Sequence, residues 1–322
     1  MKGREKDLSS KLRSELLSFG KKKENALPLY GTEECAKRSM KAMYEVLKKL
    51  ELAPKIKLLK INAPEIARKA KAGQFVIFRI DEKGERIPLT IVERDPQEGT
   101  ITLIFQEVGL STMKLGALET GDEIMNVTGP LGNPTEIKHY GLVAVVCGGT
   151  GTAVSYPIAK ALKEAGNQVV SIIGARTKEL LILEDEMRNI SDELYISTDD
   201  GSKGHKGFVS DVLKMLIEKG YRFDVVYAIG PTLMMKATVN VTRPYSIKTI
   251  VSLNPIMVDG MGMCGACRVT VGGETKFACL DGPEFDGHLV DFDELIKRLR
   301  VYLLEEKQAV ELHEKSGEIK RG

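Results

Sequence analysis

Three of the five cysteines in this 322-residue sequence lie within 16 residues of one another. Together with an aspartate they form the spacing Asp259-x4-Cys264-x2-Cys267-x11-Cys279. This is the spacing of a plant-type [2Fe–2S] loop in which an aspartate replaces the first cysteine. The glycines between these residues allow backbone N–H groups to approach sulfur closely. The pattern therefore predicts a [2Fe–2S] cluster with Asp259, Cys264, Cys267 and Cys279 as metal ligands.

Other roles for these three cysteines stay open. A zinc site would add His288 as the fourth ligand, although structural zinc sites usually contain a second pair of knuckle ligands. A redox-active C-x2-C would open a helix, whereas this one leads into a predicted strand, Arg268–Val271. A purely structural role is the remaining alternative. The other two cysteines, Cys35 and Cys147, are expected to be packing residues.

A glycine-rich loop follows a predicted buried strand, Leu142–Cys147, and leads into a predicted helix. It reads Gly148-Gly149-Thr150-Gly151-Thr152. Glycines at this point let a pyrophosphate approach the free N–H groups of the helix N-terminus. The dinucleotide-binding fingerprint is incomplete, because Val154 replaces its third glycine and no acidic residue ends the second strand. Arg176 follows that strand and would either accept a 2′-phosphate or be a surface charge.

Two further loops follow later predicted strands. One contains Asp199 and Asp200, and the other contains Gly230, Pro231 and Met234. Each loop alone would be an ordinary turn between a strand and a helix. Because the carboxyl ends of parallel strands meet at one edge of a sheet, the three loops together predict a nucleotide site.

The hydrophobic pattern divides the chain into five parts. Short alternating strands predict a small antiparallel barrel, and repeated strand–helix units predict a parallel sheet. The parts are a basic helical extension (1–53), the barrel (54–139), the α/β domain (140–255), the cysteine loop (256–290) and a C-terminal helix, Asp291–Leu304, with its tail (291–322). The barrel strands are expected at Ile56–Ile61, Gln74–Ile80, Ile87–Glu93, Thr100–Gln106 and Glu123–Val127.

Composition and charge exclude several classes of protein. The hydrophobic content of 43% excludes disorder for most of the chain. Residues 1–55 hold 14 Lys/Arg and 8 Asp/Glu, which indicates either a solvated helix or a docking arm rather than a nucleic-acid-binding segment. No apolar run reaches the ~18 residues of a membrane span, and the charged start has no secretory pattern. We expect a cytoplasmic protein with neither a nucleic acid nor a membrane as its partner.

Taken together, the motifs resemble the ferredoxin–NADP reductase superfamily over about residues 54–300. The matching segments are Arg86-Ile87-Pro88-Leu89-Thr90, Gly129-Pro130-Leu131-Gly132, the glycine loop, TDDGS, GPTLMM and the cysteine loop. Within the superfamily, the chain is similar to an iron–sulfur flavoprotein subunit that two enzymes share. They are the NADH-dependent ferredoxin:NADP oxidoreductase, also described as sulfide dehydrogenase, and dihydroorotate dehydrogenase. The aspartate at the first cluster position resembles the pattern of the ferredoxin:NADP oxidoreductase subunit.

This resemblance implies a fold of class α/β plus β-barrel, ferredoxin-reductase-like. An antiparallel FAD-binding barrel would be followed by a parallel-sheet nucleotide-binding domain and a C-terminal [2Fe–2S] subdomain. FAD would be bound by Arg86, Pro88, Leu89 and Thr90 and by a second element containing Ile104, Phe105, Gln106, Ser111 and Thr112. NAD(P) would bind at the three loops of the sheet, with the choice between NAD and NADP left open.

The implied function is electron transfer. Nicotinamides exchange hydride, iron–sulfur clusters pass single electrons, and a flavin can do both. The chain would therefore be the electron-transfer subunit of a ferredoxin:NAD(P) oxidoreductase, with no side chain acting as acid or base. Its implied partner is a larger flavoprotein with [4Fe–4S] clusters, related to the glutamate synthase small subunit, through which ferredoxin takes part indirectly. The alternatives are the dihydroorotate dehydrogenase subunit and a regulatory flavoprotein without nucleotide turnover.

Overall fold

A computed structural model describes residues 44–316 of the chain. Most of the expected helical extension therefore lies outside the described residues. Within them, a barrel, a parallel sheet and a C-terminal segment follow one another along the chain. No helix in this part is both long and apolar enough to cross a membrane.

The barrel contains six antiparallel strands. They are β1 (Val46–Ala53), β2 (Ile56–Asn62), β3 (Phe75–Arg79), β4 (Ile87–Asp95), β5 (Thr100–Gln106) and β6 (Asn126–Leu131), in the spatial order β1-β2-β5-β4-β3-β6. Two short helices, α1 (Pro64–Lys69) and α2 (Leu110–Ala117), connect them. The Val46 N–H donates to the Asp122 carbonyl (2.8 Å) and the Ile124 N–H donates to the Tyr44 carbonyl (3.0 Å), so the start of β1 is bonded to the chain just before β6.

Alternation along the strands decides which side chains fill the barrel, since successive residues face opposite sides of a sheet. In β5, Ile101, Leu103 and Phe105 are buried in the barrel core. Ile104 faces the other way and packs with Ala153 of the second domain. One face of β5 thus holds the barrel together, while the other contacts the rest of the protein.

The prediction of a helix up to Pro54 is wrong for its last residues, because Val46–Ala53 is strand β1. The chain turns at Pro54 and at Lys55, whose φ is 61°, and β1 pairs antiparallel with β2. Val46 is fully buried in the barrel core. Pairing and burial override the helical spacing of the apolar residues, and the barrel begins eight residues earlier than predicted.

The last barrel strand is also displaced, to Asn126–Leu131 instead of Glu123–Val127. Gly129 and Pro130 both lie within β6. This strand is an end strand of the sheet order and pairs in register only with β3. An edge strand tolerates proline because one side of its backbone needs no partner.

The second sheet contains six parallel strands covered by helices. The strands are β7 (Leu142–Gly148), β8 (Gln168–Ala175), β9 (Glu193–Thr198), β10 (His205–Lys206), β11 (Val225–Ile229) and β12 (Lys248–Ser252), in the order β10-β9-β8-β7-β11-β12. The helices are α3 (Gly151–Glu164), α4 (Glu184–Ile190), α5 (Val209–Glu218) and α6 (Thr232–Thr242), with 3-10 turns at Lys178–Leu180 and Arg243–Tyr245. Val145 packs with Ile158 of α3, and Val146 packs with Leu213 of α5. Both faces are therefore buried, as is usual for a parallel sheet.

The C-terminal segment attaches to the outer edge of this sheet. It consists of the hairpin β13 (Arg268–Val271) and β14 (Glu274–Phe277), the strand β15 (Glu284–Asp286), and the helices α7 (Phe292–Arg298) and α8 (Leu303–Ser316). β15 pairs antiparallel with β12. The cysteine loop is thus held between the barrel and the last strand of the parallel sheet.

The expectation of one helix at Asp291–Leu304 is wrong in its second half. The Asp291 side chain caps α7 by accepting the Glu294 N–H (2.9 Å). After α7, the N–H groups of Arg300 and Val301 donate three residues back, which tightens the chain into a turn before α8 begins.

The barrel core is expected to respond to loss of volume at Leu103, which is 0% exposed. Leu103→Ala removes buried methyl groups and should lower the free energy of unfolding by about 2–5 kcal/mol. Leu50→Ala on β1, where the side chain is 41% exposed, is the matched control and should change it by less than about 1 kcal/mol. Urea denaturation of the two variants measures the difference, and equal losses would contradict the assignment of β5 to the core.

Candidate cofactor cavity and cysteine loop

A cavity of about 860 Å³ lies between the barrel and the carboxyl edge of the parallel sheet. Its size is within the range of small-molecule and cofactor sites. Of the residues expected at cofactors, those that line it are Pro88, Thr90, Gln106, Gly148, Gly149, Thr150, Gly151, Arg176, Asp199, Gly230, Pro231 and Met234. The structure therefore brings the barrel motif and all three loops of the sheet to one cavity.

The glycine loop presents the N-terminus of α3, a 14-residue helix, to this cavity. A Cβ built on Gly151 would lie 2.3 Å from the Ile229 carbonyl oxygen at the end of β11. Only glycine therefore lets the helix start this close to the sheet. The free N–H groups and the helix dipole favour an anion at this position. Thr152, also expected here, is buried and does not line the cavity.

The loops after β8 and β9 contribute one charge each. Arg176 and Asp199 line the cavity, whereas Asp200 does not. The Asp200 carboxylate accepts the hydroxyl and the N–H of Ser202 (2.7 and 2.9 Å). These hydrogen bonds, that of the hydroxyl first, lower the pKa of Asp200. Asp200 therefore shapes its loop rather than the cavity wall.

On the barrel side, strand alternation selects the residues that reach the cavity. Pro88 and Thr90 line it, while Leu89 between them packs against the barrel core. In β5, Gln106 lines the cavity, Phe105 faces the barrel core and Ile104 lies in the contact between the domains.

Three other residues expected at the flavin do not line the cavity. Arg86 is exposed. The Ser111 hydroxyl donates to the Glu85 carboxylate (2.6 Å). The Thr112 hydroxyl accepts the Gly109 N–H (3.1 Å) at the start of α2. The loop that precedes α2 is near the cavity, since Val108 lines it.

Sequence reasoning missed several cavity residues. They are Ile56, Phe75, Val108, Phe208, Leu233, Ser252, Leu253, Asn254 and Met257. Asn254 is the second residue after β12, so the rule that found the other loops at strand ends would have found it too. Phe208 is 62% exposed, and an exposed aromatic side chain beside a cavity is suited to stacking on a planar ring.

The cysteine loop brings two of its sulfur atoms together and directs backbone N–H groups at all three. Cys267 Sγ and Cys279 Sγ lie 3.2 Å apart. The Gly262 N–H faces Cys279 Sγ at 3.1 Å, the Ala266 N–H faces Cys264 Sγ at 3.5 Å, and the Cys279 N–H faces Cys267 Sγ at 3.5 Å. Thiolate ligands with N–H donors fit an iron–sulfur cluster.

Asp259 organises the same loop. One carboxylate oxygen accepts the Met261 N–H (2.9 Å), and the other accepts the N–H groups of Met263 (3.1 Å) and Cys264 (2.7 Å). These hydrogen bonds, that of Met261 first, lower the pKa of Asp259 and keep it ionised. A carboxylate oxygen that accepts one N–H retains a lone pair for a metal. The geometry is thus compatible with ligation by Asp259.

The zinc alternative needs His288, and one of its two ring nitrogens is already engaged. His288 Nε2 lies 2.9 Å from the Ile247 carbonyl oxygen, with which it hydrogen-bonds. Across residues 44–316, no three Cys, His, Asp or Glu side chains surround a position for a single metal ion. A two-iron cluster divides its protein ligands between two irons and needs no such point.

Two family models match the parts of the chain that form these sites. The oxidoreductase NAD-binding domain matches residues 145–240, and the iron-sulfur cluster binding domain of dihydroorotate dehydrogenase B matches residues 254–291. Together with the barrel, they define the class: an oxidoreductase of the ferredoxin-reductase-like fold with a C-terminal iron–sulfur domain. The predictions of an NAD(P)-binding domain and of an iron–sulfur domain are confirmed.

The chain is similar to an electron transfer subunit homolog of dihydroorotate dehydrogenase B (NAD(+)) from Thermotoga maritima, with 51% identity over 270 residues, 84% of this chain and 95% of that protein. A probable dihydroorotate dehydrogenase B (NAD(+)) electron transfer subunit from Methanopyrus kandleri is 35% identical over 241 residues, 75% and 88% of the two chains. The solved NADH-dependent reduced ferredoxin-NADP oxidoreductase, studied for flavin-based electron bifurcation, has a chain that is 50% identical, with coverage of 84% and 98% and a TM-score of 0.81. The protein belongs to the family of dihydroorotate dehydrogenase B electron transfer subunits and their homologues, and it is an electron-transfer subunit of an oxidoreductase, as the sequence predicts.

Gly151→Ala should abolish nucleotide binding, because its Cβ would displace the N-terminus of α3 from the end of β11. Gly109→Ala is the matched control, since a Cβ there meets no atom within 4 Å. Isothermal titration with NADH measures both variants. Wild-type affinity in Gly151→Ala would show that the glycine loop does not hold the nucleotide.

Proposed function

We propose that this chain passes electrons between NAD(P)H, FAD in the cavity and a [2Fe–2S] cluster on Asp259, Cys264, Cys267 and Cys279, and delivers them to a larger flavoprotein. The observation that supports it most is the position of two side chains. Phe75 and Met257 line the cavity and pack in the same buried cluster as Cys267 and Cys279. These two side chains therefore connect the cavity wall to the packing around Cys267 and Cys279. When bound, FAD supplies the exchange between hydride and single electrons.

We place the flavin on the barrel side of the cavity and the nucleotide on its sheet side. Pro88, Thr90 and Gln106 provide a barrel wall for the flavin, as the resemblance implies. The α3 N-terminus provides donors for the nucleotide pyrophosphate. Arg176 would favour a 2′-phosphate and Asp199 would oppose it. Of these two cavity residues, Arg176 therefore favours NADP and Asp199 favours NAD.

The surface around the cysteines supports delivery to a partner protein. Met263, beside Cys264, is 83% exposed, and Val258, Met261 and Leu280 are exposed as well. Exposed apolar side chains gathered at a redox loop are typical of a protein interface. We propose that the partner is a larger flavoprotein with [4Fe–4S] clusters, related to the glutamate synthase small subunit.

The dihydroorotate dehydrogenase system is the second candidate, because relatives of that name belong to the same family. Sequence identity does not separate the two systems, since the solved oxidoreductase chain is 50% identical and the Thermotoga maritima homolog of the dihydroorotate subunit is 51% identical. One observation favours the ferredoxin:NADP system. An aspartate stands at the first ligand position, where the resemblance implies a cysteine for the dihydroorotate subunit.

Metal analysis of the anaerobically purified chain tests the cofactor set. We expect about two irons per chain, as one [2Fe–2S] cluster requires, together with one FAD. Cys279→Ala should lose the iron and keep the FAD, because only a ligand thiol is removed. Cys147→Ala is the control, since this buried thiol lies in the core of the parallel sheet. Zinc in place of iron, or iron retained in Cys279→Ala, would contradict the assignment.

Native purification of the tagged chain tests the partner. We expect it to migrate with a larger flavoprotein, and Met263→Lys to weaken that complex at least tenfold by placing a charge in the interface. Leu312→Lys on α8, an exposed leucine outside the cysteine loop, is the control. Deletion of residues 1–43, which leaves β1 complete, tests whether the basic extension strengthens binding to the partner. If the chain purifies from native cells as a lone monomer, the proposal of a partner flavoprotein is contradicted.

A further inference from the structure

Two successive carbonyl groups of the C-x2-C segment are held by arginines. The Arg268 guanidinium donates to the Gly265 carbonyl (Nη1–O 3.2 Å). The Arg298 guanidinium, which comes from α7, donates to the Ala266 carbonyl (Nη2–O 3.0 Å). Both contacts fix the backbone between two expected ligands rather than a ligand side chain.

The first of these peptide groups connects an arginine to a ligand sulfur. Its carbonyl belongs to Gly265 and accepts from Arg268, while its N–H belongs to Ala266 and faces Cys264 Sγ at 3.5 Å. In a trans peptide, the C=O and N–H point in opposite directions. A cation on the carbonyl side therefore both orients and polarises the N–H on the sulfur side.

The second peptide group is held by Arg298, which lies on the packed helix α7. Its carbonyl belongs to Ala266, so the N–H of the next residue points away from Arg298. Phe292 and Leu295 anchor α7 by packing with Val269 of β13 in one buried cluster. The position of Arg298 relative to the loop is thus set by a packed core.

Neither arginine is neutralised nearby. Among the ion pairs of residues 44–316, none includes Arg268 or Arg298. Arg298 is partly buried, while Arg268 is exposed. Solvent and salt screen an exposed charge more strongly, so Arg298 should act more strongly on the loop.

We propose that Arg298, assisted by Arg268, is a positioning residue that raises the reduction potential of the cluster. Arg298 fixes the Ala266 carbonyl and places an unpaired positive charge beside the C-x2-C segment, while Arg268 holds the peptide group whose N–H faces Cys264 Sγ. One-electron reduction adds a negative charge to the cluster, and hydrogen bonds to sulfur and net charge are among the quantities that set its potential. This inference rests on the proposed cluster site.

Arg298→Met in the full chain removes both the hydrogen bond and the charge. We expect about a tenfold loss in the equilibrium constant for one-electron reduction, which is a shift of about 59 mV to more negative potential. The shift is measured by a mediated redox titration followed by EPR. Arg298→Lys keeps the positive charge but lacks the planar guanidinium group, so it should shift the potential less than Arg298→Met does. Arg268→Met should also shift less, because that side chain is exposed.

Arg300→Met is the matched control. Arg300 is exposed, lies two residues beyond Arg298 and has no hydrogen bond to the cysteine loop among the described contacts. We expect the wild-type potential in this variant. Equal potentials in Arg298→Met and Arg300→Met would overturn the proposal, even if Arg298→Met melted at a lower temperature, because that pattern would mark a purely structural anchor.

The proposal stays testable if Arg298→Met does not retain iron. Arg298→Lys and Arg268→Met are then decisive, and wild-type potentials in both would overturn it. Failure of the proposed function is recognised separately, since a wild-type chain without iron would refute the cluster site before any variant is compared.

Discussion

Backbone N–H groups directed at anionic groups are the interaction on which both parts of the site depend. The first turn of α3 offers them to the cavity, and the cysteine loop offers them to its sulfur atoms. Each place requires glycine. Gly151 starts a helix against the Ile229 carbonyl, and Gly260, with φ of 73°, would bring a Cβ within 2.8 Å of the Ile77 side chain on β3. The same chemical requirement thus fixes where the helix and the cysteine loop contact the two sheets.

Hydrogen bonds between the barrel and the C-terminal segment keep the cavity and the cysteine loop at a fixed separation. The Asn133 N–H donates to the Gly282 carbonyl (2.7 Å), and the Thr135 hydroxyl donates to the Glu284 carboxyl (2.6 Å). Burial raises the pKa of Glu284 to about 7. Since the native pKa lies above the usual value of 4.5, the contribution of this group to stability is full below pH 4.5 and falls as the pH rises through about 7. The junction is therefore strongest with a neutral Glu284.

Much of the architecture follows from the sequence, because period and turn residues agree with the fold over most of the chain. Strands β5 and β13 begin and end where predicted. The errors occur where tertiary pairing decides. The helix expected before Pro54 is a strand, because it pairs with β2 and buries Val46 in the barrel core. The local spacing of apolar residues contains neither the pairing nor the burial.

The site was predictable at its loops and less so at its strands. Loops at strand ends converge by topology alone, so the glycine loop, Arg176 and Asp199 meet at one cavity. The expected flavin residues on β4 and β5 are consecutive in sequence. Because side chains alternate along a strand, Leu89 and Phe105 face the barrel core instead of the cavity. Phe75 and Met257, between the cavity and the cysteines, carry no sequence signal beyond being apolar, and only packing places them there.

The central claim is that electrons from the nicotinamide reach the cysteine loop through the cavity. The most direct measurement is an anaerobic titration of the purified chain with NADH and, separately, with NADPH, followed by visible absorption and EPR on the same samples. The account predicts that at least one of the two nucleotides bleaches the flavin and that the EPR signal of a reduced [2Fe–2S] cluster appears with it. A flavin that bleaches fully while the cluster remains oxidised, although dithionite reduces it, would contradict the account.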